Sequence, residues 1–384
     1  MVYNKISLYF TPIFYTLFGE ILNFFCMKTN SILFILLCLI LCGCVTEWEA
    51  KDIDEIEGIL VVEGFITDDE SVITLSRSKG ITYDDSDRDM TPYRVADAKV
   101  SIECDDGTQW AASGQNLGEY TIENGKLNPE RQYRLKVEFE AHEYHSEFAS
   151  PMVPPEIDSV FWTKKEWGQP VNIHVATHAP DGMVQYYRWA YTELWEISVE
   201  YIMKEYPSRC IKSSKSNNLL IGTTERTASG RLIEIIAEIS PGSDRFSVLY
   251  RMDVTQHAIS KRAYDYYTNV KKNAQQTGSL FTHIPSELRG NISCITDPDR
   301  PVIGYVDISS ATRKNVYIGT NVYENPYIAI PGRCEPTYFR YTFPEGYVPI
   351  PDLPSYYINR FCVDCEFVGG KPIKDLPDDW PYQI

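Results

Sequence analysis

Residues 133–139 read YRLKVEF, in which apolar and charged side chains alternate without a break. Side chains along a β-strand point in turn to opposite faces of the sheet, so this spacing predicts a strand with one buried and one wetted face. The buried positions are Tyr133, Leu135, Val137 and Phe139. Such a strand is typical of an antiparallel sheet that covers a core on one side only.

The residues upstream repeat the same pattern in short pieces. Val100, Ile102 and Cys104 alternate with polar residues, and Asp106-Gly107 supplies the positive φ angles of a tight hairpin turn. Short strands and turns of this kind continue over residues 58–150, which we expect to form a small β-sandwich. Prolines at 151, 154 and 155 indicate a stiff link, because proline fixes φ and cannot donate to a ladder.

The rest of the chain, residues 151–384, predicts a larger β-rich domain. Its longest strand pattern has one aromatic face, formed by Tyr187, Trp189, Tyr191, Trp195, Ile197, Val199 and Tyr201. One amphipathic helix is expected over about 261–276, with Ser260 as its N-cap and Gly278 after its end. The predicted fold class is therefore all-β, with two β-sandwich-like domains and a single helix.

An apolar run from Ile32 to Cys42 lies near the amino terminus. It is too short to span a bilayer as a helix, which needs about 20 apolar residues, but it has the length of a signal-peptide core. Leu41, Cys42 and Gly43 precede Cys44 as the small residues of a lipobox precede the cysteine that receives lipid. We expect cleavage before Cys44 and a lipid anchor on its sulfur.

The residues on either side of this segment complete the prediction. Met27-Lys28 supplies a start and a positive charge directly upstream, so residues 1–26 are expected to be a mis-called extension and 27–43 the signal peptide. Residues 44–57 are acidic and have no core pattern, as in a solvated tether. The formal net charge of -17 would repel phosphate, which argues against a nucleic-acid partner.

Six of the ten cysteines lie beyond Cys44. An exported chain meets an oxidising compartment, so we expect disulfides among Cys210, Cys294, Cys334, Cys362 and Cys365. Cys104, on the apolar face of its strand, is expected to be a buried free thiol. The Cys362-x-x-Cys365 motif lacks the second cysteine pair of a zinc ribbon and the helix that follows a thioredoxin-type motif.

Metal-ligating candidates are weak. Asp84, Asp85, Asp87 and Asp89 begin like a calcium loop, but Met90 stands where glycine is needed and Ala96 where the last carboxylate belongs. Histidines 142 and 145 would point to opposite faces of a strand, and histidines 174 and 178 would lie about 13 Å apart. We therefore expect no metal site and no cofactor, and keep the aspartates only as weak calcium candidates.

Motifs for nucleophilic, phosphate or dinucleotide chemistry are absent from the sequence. Carboxylates are so numerous that no acid and base pair stands out, and an enzyme is unsupported. Aromatic residues make up 13% of the chain, and strand cores account for most of them. Exposed aromatics that could stack on a sugar or a peptide are expected in the Tyr-Pro-rich segment Tyr338–Tyr357.

Several segments resemble one family, the Bacteroidota outer-membrane lipoproteins of domain of unknown function 4249. The matching stretches are YYRWAYTELWE (186–196), SKRAYDYYTNVKKNAQQTGSLFTHIPSELRGNI (260–292), PVIGYVDIS (301–309) and CVDCEFVGGKP (362–372). The resemblance implies an amino-terminal immunoglobulin-like or prealbumin-like sandwich, a larger β-rich domain and frequent encoding beside TonB-dependent receptors. It implies no catalytic residues.

The leading hypothesis is a non-enzymatic lipoprotein of the outer membrane, at the cell surface or on the periplasmic leaflet, that assists a TonB-dependent transporter. It would capture a glycan, a peptide or a metal chelate. One alternative is a surface hydrolase with a non-standard pair of carboxylates about 5–9 Å apart beside exposed aromatics. Another is a structural or adhesive envelope protein, which would have a flat surface without a pocket.

Overall fold

The computed structural model describes residues 58–78, 93–166, 168–179, 182–227, 229–276, 290–319, 334–373 and 376–381, with the side chains of the helix described as far as Asn273. Strands dominate this part of the chain, and nearly all of them pair antiparallel. The all-β fold class predicted from the sequence is confirmed.

Two five-stranded sheets form the N-terminal sandwich. In spatial order, the first contains β17 (Val302–Ile308), β1 (Leu60–Ile66), β2 (Asp69–Arg77), β6 (Glu119–Gly125) and β5 (Gly114–Asn116). The second contains β16 (Ile292–Cys294), β8 (His142–Ser146), β7 (Tyr133–Phe139), β3 (Lys99–Cys104) and β4 (Gln109–Ala111). Both sheets therefore include a strand from far beyond residue 150, where the sequence predicted the first domain to end.

The predicted strand over 133–139 shows why these residues form a sandwich. Its four apolar positions are buried and the three between them are half-exposed, so β7 contributes to one core. At the predicted hairpin, Gly107 has a φ of 89°, a conformation that a side chain would oppose, and Asp106 Oδ1 accepts from the Thr108 amide at 2.9 Å.

A parallel pair, β1 with β17, closes the edge of the first sheet. Leu60 pairs with Val302 and Ile66 with Ile308, so the two strands run side by side over their full length. Gly304 of β17 adopts a φ of 142°, and an added Cβ would collide with the Val62 carbonyl. This close approach of two backbones explains the glycine in an otherwise apolar strand.

A second sandwich, the central sandwich, follows. One sheet contains β14 (Arg231–Ile239), β10 (Val171–His178) and β9 (Ile157–Thr163). The other contains β18 (Ala311–Gly319), β15 (Leu249–Ala258), β11 (Tyr186–Ser198), β12 (Arg209–Lys215) and β22 (Lys371–Pro372), with β13 (Leu220–Thr223) also on β11. Short 3-10 helices span Asp244–Phe246 and Arg360–Cys362.

The long aromatic strand β11 carries the core of this sandwich. Tyr187, Trp189, Trp195 and Ile197 are buried as predicted. The same strand also buries two carboxylates: alternation puts Glu193 on the aromatic face, whereas Glu196 is buried on the other face. Glu193 accepts two hydrogen bonds from the Arg245 guanidinium and one from the Tyr250 hydroxyl, and Glu196 pairs with Arg209. Such partners are required, because an unpaired buried charge is strongly destabilising.

The helix α1 spans Lys261–Gln276 and begins and ends at the predicted residues. Ser260 caps it, with its Oγ accepting from the Ala263 amide at 3.1 Å. Ala263 and Tyr267 are buried against Tyr186 of β11 and Tyr305 of β17, so the helix packs where the two sandwiches meet. The helix that the structure describes is not long and apolar enough to cross a membrane.

The C-terminal sheet is a small three-stranded unit, with β19 (Thr337–Tyr338), β21 (Tyr356–Asn359) and β20 (Tyr347–Pro349) in spatial order. Val348 and Ile358 are buried beneath it together with Cys334, Cys362 and Val363. A disulfide joins Cys334 to Cys362 under the sheet, and a second joins Cys210 of β12 to Cys365.

Candidate functional site

An open cleft of about 600 Å³ runs along the C-terminal sheet. Its lining includes Glu335, Thr337, Tyr338, Tyr347, Tyr356 and Asn359. The cleft follows β21 from Tyr356 to Asn359, a length of about 10 Å at the usual rise per residue. Its volume lies within the range of about 300–1,000 Å³ of small-molecule sites.

Three of the seven residues that line this surface are tyrosines. Tyr338 and Tyr356 are paired directly across β19 and β21, with ring centroids 5.5 Å apart and planes inclined by 65°. The Tyr338 side chain is 57% exposed and that of Tyr356 is 40% exposed. The sequence placed exposed aromatics in Tyr338–Tyr357, and the structure puts both of these tyrosines in the cleft.

A second set of rings lies on the opposite face of this sheet from Tyr338 and Tyr356. Phe343 stacks on Tyr357 at 4.2 Å, and Phe339 meets both Tyr347 and Tyr357 edge to face. Edge-to-face and stacked ring pairs are each worth about 0.5–1.5 kcal/mol beyond the burial of their area. The aromatic side chains therefore hold one another in place beside the cleft.

Four of the five cysteines that the sequence offered as disulfide candidates are paired, with Cα atoms 5.6 and 5.7 Å apart. Cys104 is a buried free thiol, as expected. The expectation of a disulfide at Cys294 was wrong, because its thiol is buried and free. The strands β8 and β7 lie between it and Cys104, so the two cysteines are more than about 14 Å apart, which no disulfide can bridge.

Other predicted site residues fall into two groups. Leu41, Cys42, Gly43, Cys44 and the calcium candidates Asp84, Asp85, Asp87 and Asp89 lie outside the described residues. The histidines have local protein partners: His142 contacts Thr296, His145 contacts Glu143, His174 contacts Thr163 and His178 contacts Asp158. In the described ranges, no three His, Cys, Asp or Glu side chains come together in an arrangement that could hold a metal ion.

A buried polar cluster lies where α1 meets β11 and β17. Arg188 donates to the Tyr267 hydroxyl at 2.8 Å, and that hydroxyl lies 3.4 Å from Asp307 Oδ2. The guanidinium also lies 4.9 Å from the centre of the Phe65 ring, which stacks on His257 at 4.2 Å. Ring faces attract a cation, so Phe65 holds Arg188 beside the acid.

Burial shifts the pKa of the acid and of the imidazole in this polar cluster. Desolvation raises the pKa of Asp307 to about 7, against a smaller lowering by Arg188. Desolvation, aided by the charge of Arg188, lowers the pKa of His257 to about 4. Both groups are therefore mostly neutral between about pH 4 and pH 7, as is expected where charge has little access to water.

Sequence reasoning missed this polar cluster. Asp307 stands in the apolar run PVIGYVDIS, and an acid within such a run is the signal that could have revealed a buried carboxyl. Its partners come from β11, β15 and α1, which only the tertiary fold brings together. The hydrogen bonds of Arg188 and Asp307 in this polar cluster run to Tyr267 of the helix, so we assign the polar cluster to the packing of the helix rather than to a ligand site.

The protein is therefore β-rich. It has two sandwiches and a small C-terminal sheet, which carries the cleft and is held by a disulfide. The chain belongs to the family described as Domain of unknown function (DUF4249), whose model matches residues 47–315. The buried polar cluster lies within the matched residues, and the aromatic cleft lies beyond them.

Comparison with individual proteins adds little. No curated protein matches the chain. Among solved structures, the chain is similar to chitinase ChiA74 from Bacillus thuringiensis at 11% identity and a TM-score of 0.13, over 48% of this chain and 28% of the chitinase. The chain thus spans about a quarter of that protein's length, and so low a TM-score supports no inference about fold or function.

Proposed function

We propose that this protein is a lipoprotein of the outer membrane, anchored through Cys44, that captures a small ligand without transforming it and assists a TonB-dependent receptor. The observation that carries the ligand-binding part is the open aromatic cleft on the C-terminal sheet. The anchor rests on the lipobox residues Leu41, Cys42 and Gly43 before Cys44. The proposal that a TonB-dependent receptor is the partner rests on the family resemblance.

The chemistry of the cleft favours capture over hydrolysis. A glycosidase needs two carboxyl groups flanking the bond, about 5–9 Å apart. Among the described residues that line the cleft, Glu335 alone carries a carboxylate. A purely structural or adhesive role is also less well supported, because a recessed surface with exposed rings is what a ligand site requires.

The anchor can be tested separately from the ligand. Cells that express the full chain would be fed a clickable palmitate analogue, and incorporation would be compared between the wild type, Cys44→Ser and Cys42→Ser. Label is expected in the wild type and in Cys42→Ser, which keeps a small residue at its lipobox position, and is expected to be absent in Cys44→Ser. Label in Cys44→Ser, or none in the wild type, would exclude the anchor.

The partner is tested by purifying the full chain from detergent-solubilised membranes together with the receptor encoded beside it. Co-purification and retention of a glycan, a peptide or a metal chelate are expected. Protease treatment of intact cells distinguishes the cell surface from the periplasmic leaflet. Absence of both the receptor and any ligand would refute the proposed function.

A further inference from the structure

The strand β14 (Arg231–Ile239) forms an open edge of the central sandwich. It pairs with β10 on one side, and no described strand pairs with its other side. We infer that two copies of the chain join antiparallel along this edge, so that their three-stranded sheets form one continuous sheet across a twofold axis. Three observations support this contact, namely the openness of the edge, its apolar outer face and the order of its charged residues.

The two edges of this three-stranded sheet differ in their protection. At the far edge, β9 is covered by β18, whose Lys314 Nζ donates to the carbonyls of Ile157 and Asp158 at 3.1 and 2.8 Å. Edge strands are commonly blunted by short length, by lysine or by proline. β14 has nine residues and contains no lysine, proline or glycine. Its outer main-chain groups are therefore available to another strand.

The outer face of β14, which points away from the core, carries two exposed isoleucines. Ile233 and Ile235 are each 53% exposed and lie opposite Ala176 and His174 of β10. The apolar surface continues onto β9, where Phe161 stacks on His174 at 4.9 Å. Exposed apolar surface with a polar rim is typical of protein contacts. A strand added beside β14 would cover both isoleucines.

Four side chains of β14 follow one another at even spacing on this outer face. They are Arg231, Ile233, Ile235 and Glu238, which lie opposite alternate residues of β10. The extra residue Ile236 turns into the core and is 2% exposed, so it does not interrupt the row. Arg231 and Glu238 are exposed, and neither forms an ion pair with another described residue. The row therefore begins with a positive charge, ends with a negative one and is apolar between them.

Such a row is complementary to a second copy of itself. In a twofold interface the same surface is used by both copies, so residue i contacts j and j contacts i. Antiparallel pairing places Arg231 of each copy opposite Glu238 of the other, and Ile233 opposite Ile235. The contact then has two opposite-charge pairs and two apolar pairs, and cross-strand pairs of both kinds stabilise a sheet. Parallel pairing in register would instead bring like charges together.

One pair opposes this contact. Glu234 lies between the two isoleucines and points to the other face of the sheet, and the twofold axis passes beside it. The two copies of this carboxylate therefore stand opposite each other, and like charges in that position weaken a sheet. We expect a weak, reversible dimer for this reason, which Glu234→Gln should tighten.

Sedimentation velocity of the full chain in detergent, over about 1–200 μM, tests the inference. A dimer whose fraction rises with concentration is expected. Arg231→Glu and Glu238→Arg should each raise its dissociation constant about tenfold, because each creates two like-charge pairs. The double variant Arg231→Glu/Glu238→Arg restores opposite charges and should associate like the wild type. Glu234→Gln should lower the dissociation constant severalfold.

Two further measurements separate the edge from other surfaces. Glu123→Arg reverses an exposed charge on β6 and should leave the dimer unchanged. Copper-catalysed oxidation of Glu234→Cys should link two copies across the axis, whereas Glu238→Cys, whose two copies would lie about 20 Å apart, should not link. A chain that stays monomeric throughout the range, whether its edge is solvated or pairs with another protein, would overturn the inference. A double charge variant that associates no better than the single ones would do the same.

Discussion

Replacing Asp307 by asparagine should stabilise the protein at pH 8 and have almost no effect at pH 4. In the folded chain burial raises the pKa of this carboxyl to about 7, from an ordinary value of 3.8. Between these two values the native state holds a proton that the unfolded state has released. Stability contributed by Asp307 is therefore complete in acid, falls as the pH rises from about 4 to 7, and stays low above pH 7.

The magnitude follows from the difference between the two pKa values of Asp307. Each unit corresponds to about 1.4 kcal/mol, so a rise from 3.8 to about 7 costs the wild type about 4 kcal/mol at pH 8. Asparagine has nearly the same shape and never ionises, so the variant avoids this loss. The free energy of unfolding of Asp307→Asn should exceed that of the wild type by less than about 1 kcal/mol at pH 4 and by about 4 kcal/mol at pH 8.

His257 adds a second feature to the pH dependence of this variant's stability. Its folded pKa, lowered to about 4 from 6.5, makes its contribution fully present above pH 6.5 and lost as the pH falls towards 4. The contributions of His257 and Asp307 have opposite slopes over this interval and cancel in the wild type. In Asp307→Asn the opposing contribution of Asp307 is removed, so between pH 4 and 6.5 the stability of the variant should rise with pH more steeply than that of the wild type, by about 1.4 kcal/mol per pH unit.

Urea unfolding monitored by tryptophan fluorescence, at half-unit steps from pH 4 to pH 8.5, measures both effects. The control is Asp265→Asn, which removes an exposed carboxylate from α1 and should differ from the wild type by less than about 0.5 kcal/mol at every pH. A difference between Asp307→Asn and the wild type that is the same at pH 5 and pH 8 would refute the reasoning. A variant less stable than the wild type at pH 8 would do so as well.

Other variants test the packing. Arg209→Ala leaves the buried carboxylate of Glu196 without its partner and should lower the free energy of unfolding, measured in urea, by about 3–5 kcal/mol. Adding Glu196→Gln removes the unpaired charge and should restore most of the lost stability. Gly304→Ala should lower the melting temperature strongly, because its Cβ collides with β1, whereas Gly114→Ala, with ordinary contacts, should not. Cys334→Ser opens a segment of 28 residues that the disulfide with Cys362 closes, and it should lower the free energy of unfolding by about 3 kcal/mol. The C-terminal sheet should then be cleaved faster by a protease. An unchanged rate of proteolysis would show that this disulfide does not stabilise the sheet.

Local patterns in the sequence predict much of the secondary structure. The alternation over 133–139 gives the strand and its buried face, and Ser260 marks the start of the helix. These features are predictable because each depends on neighbours within a few residues, where the repeat of side-chain directions is fixed by backbone geometry. The exposed tyrosines 338 and 356 follow from their Tyr-Pro-rich surroundings in the same way.

Long-range pairing was not predictable. The match of β1 with β17 joins residues about 240 positions apart, and no local signal encodes it. The pairing of the cysteines could not be predicted for the same reason. Spacing shows that Cys362 and Cys365 are close in the chain, but only the fold brings each of them beside a different distant cysteine. The buried charge of Glu196 depends on Arg209 of the next strand, which a single-strand pattern cannot include.

The C-terminal sheet owes its rigidity to covalent and polar links rather than to its own size. Its strands have two, three and four residues, too few for a sheet that is stable alone in water. The Tyr201 amide donates to the Cys362 carbonyl and the Cys365 amide to the Pro207 carbonyl, so the segment beneath the sheet is tied to the β11–β12 connection. The two disulfides add links that thermal motion does not break. Rings held on such a support can stay half-exposed without collapsing into a core, which is the condition that a preformed binding surface must meet.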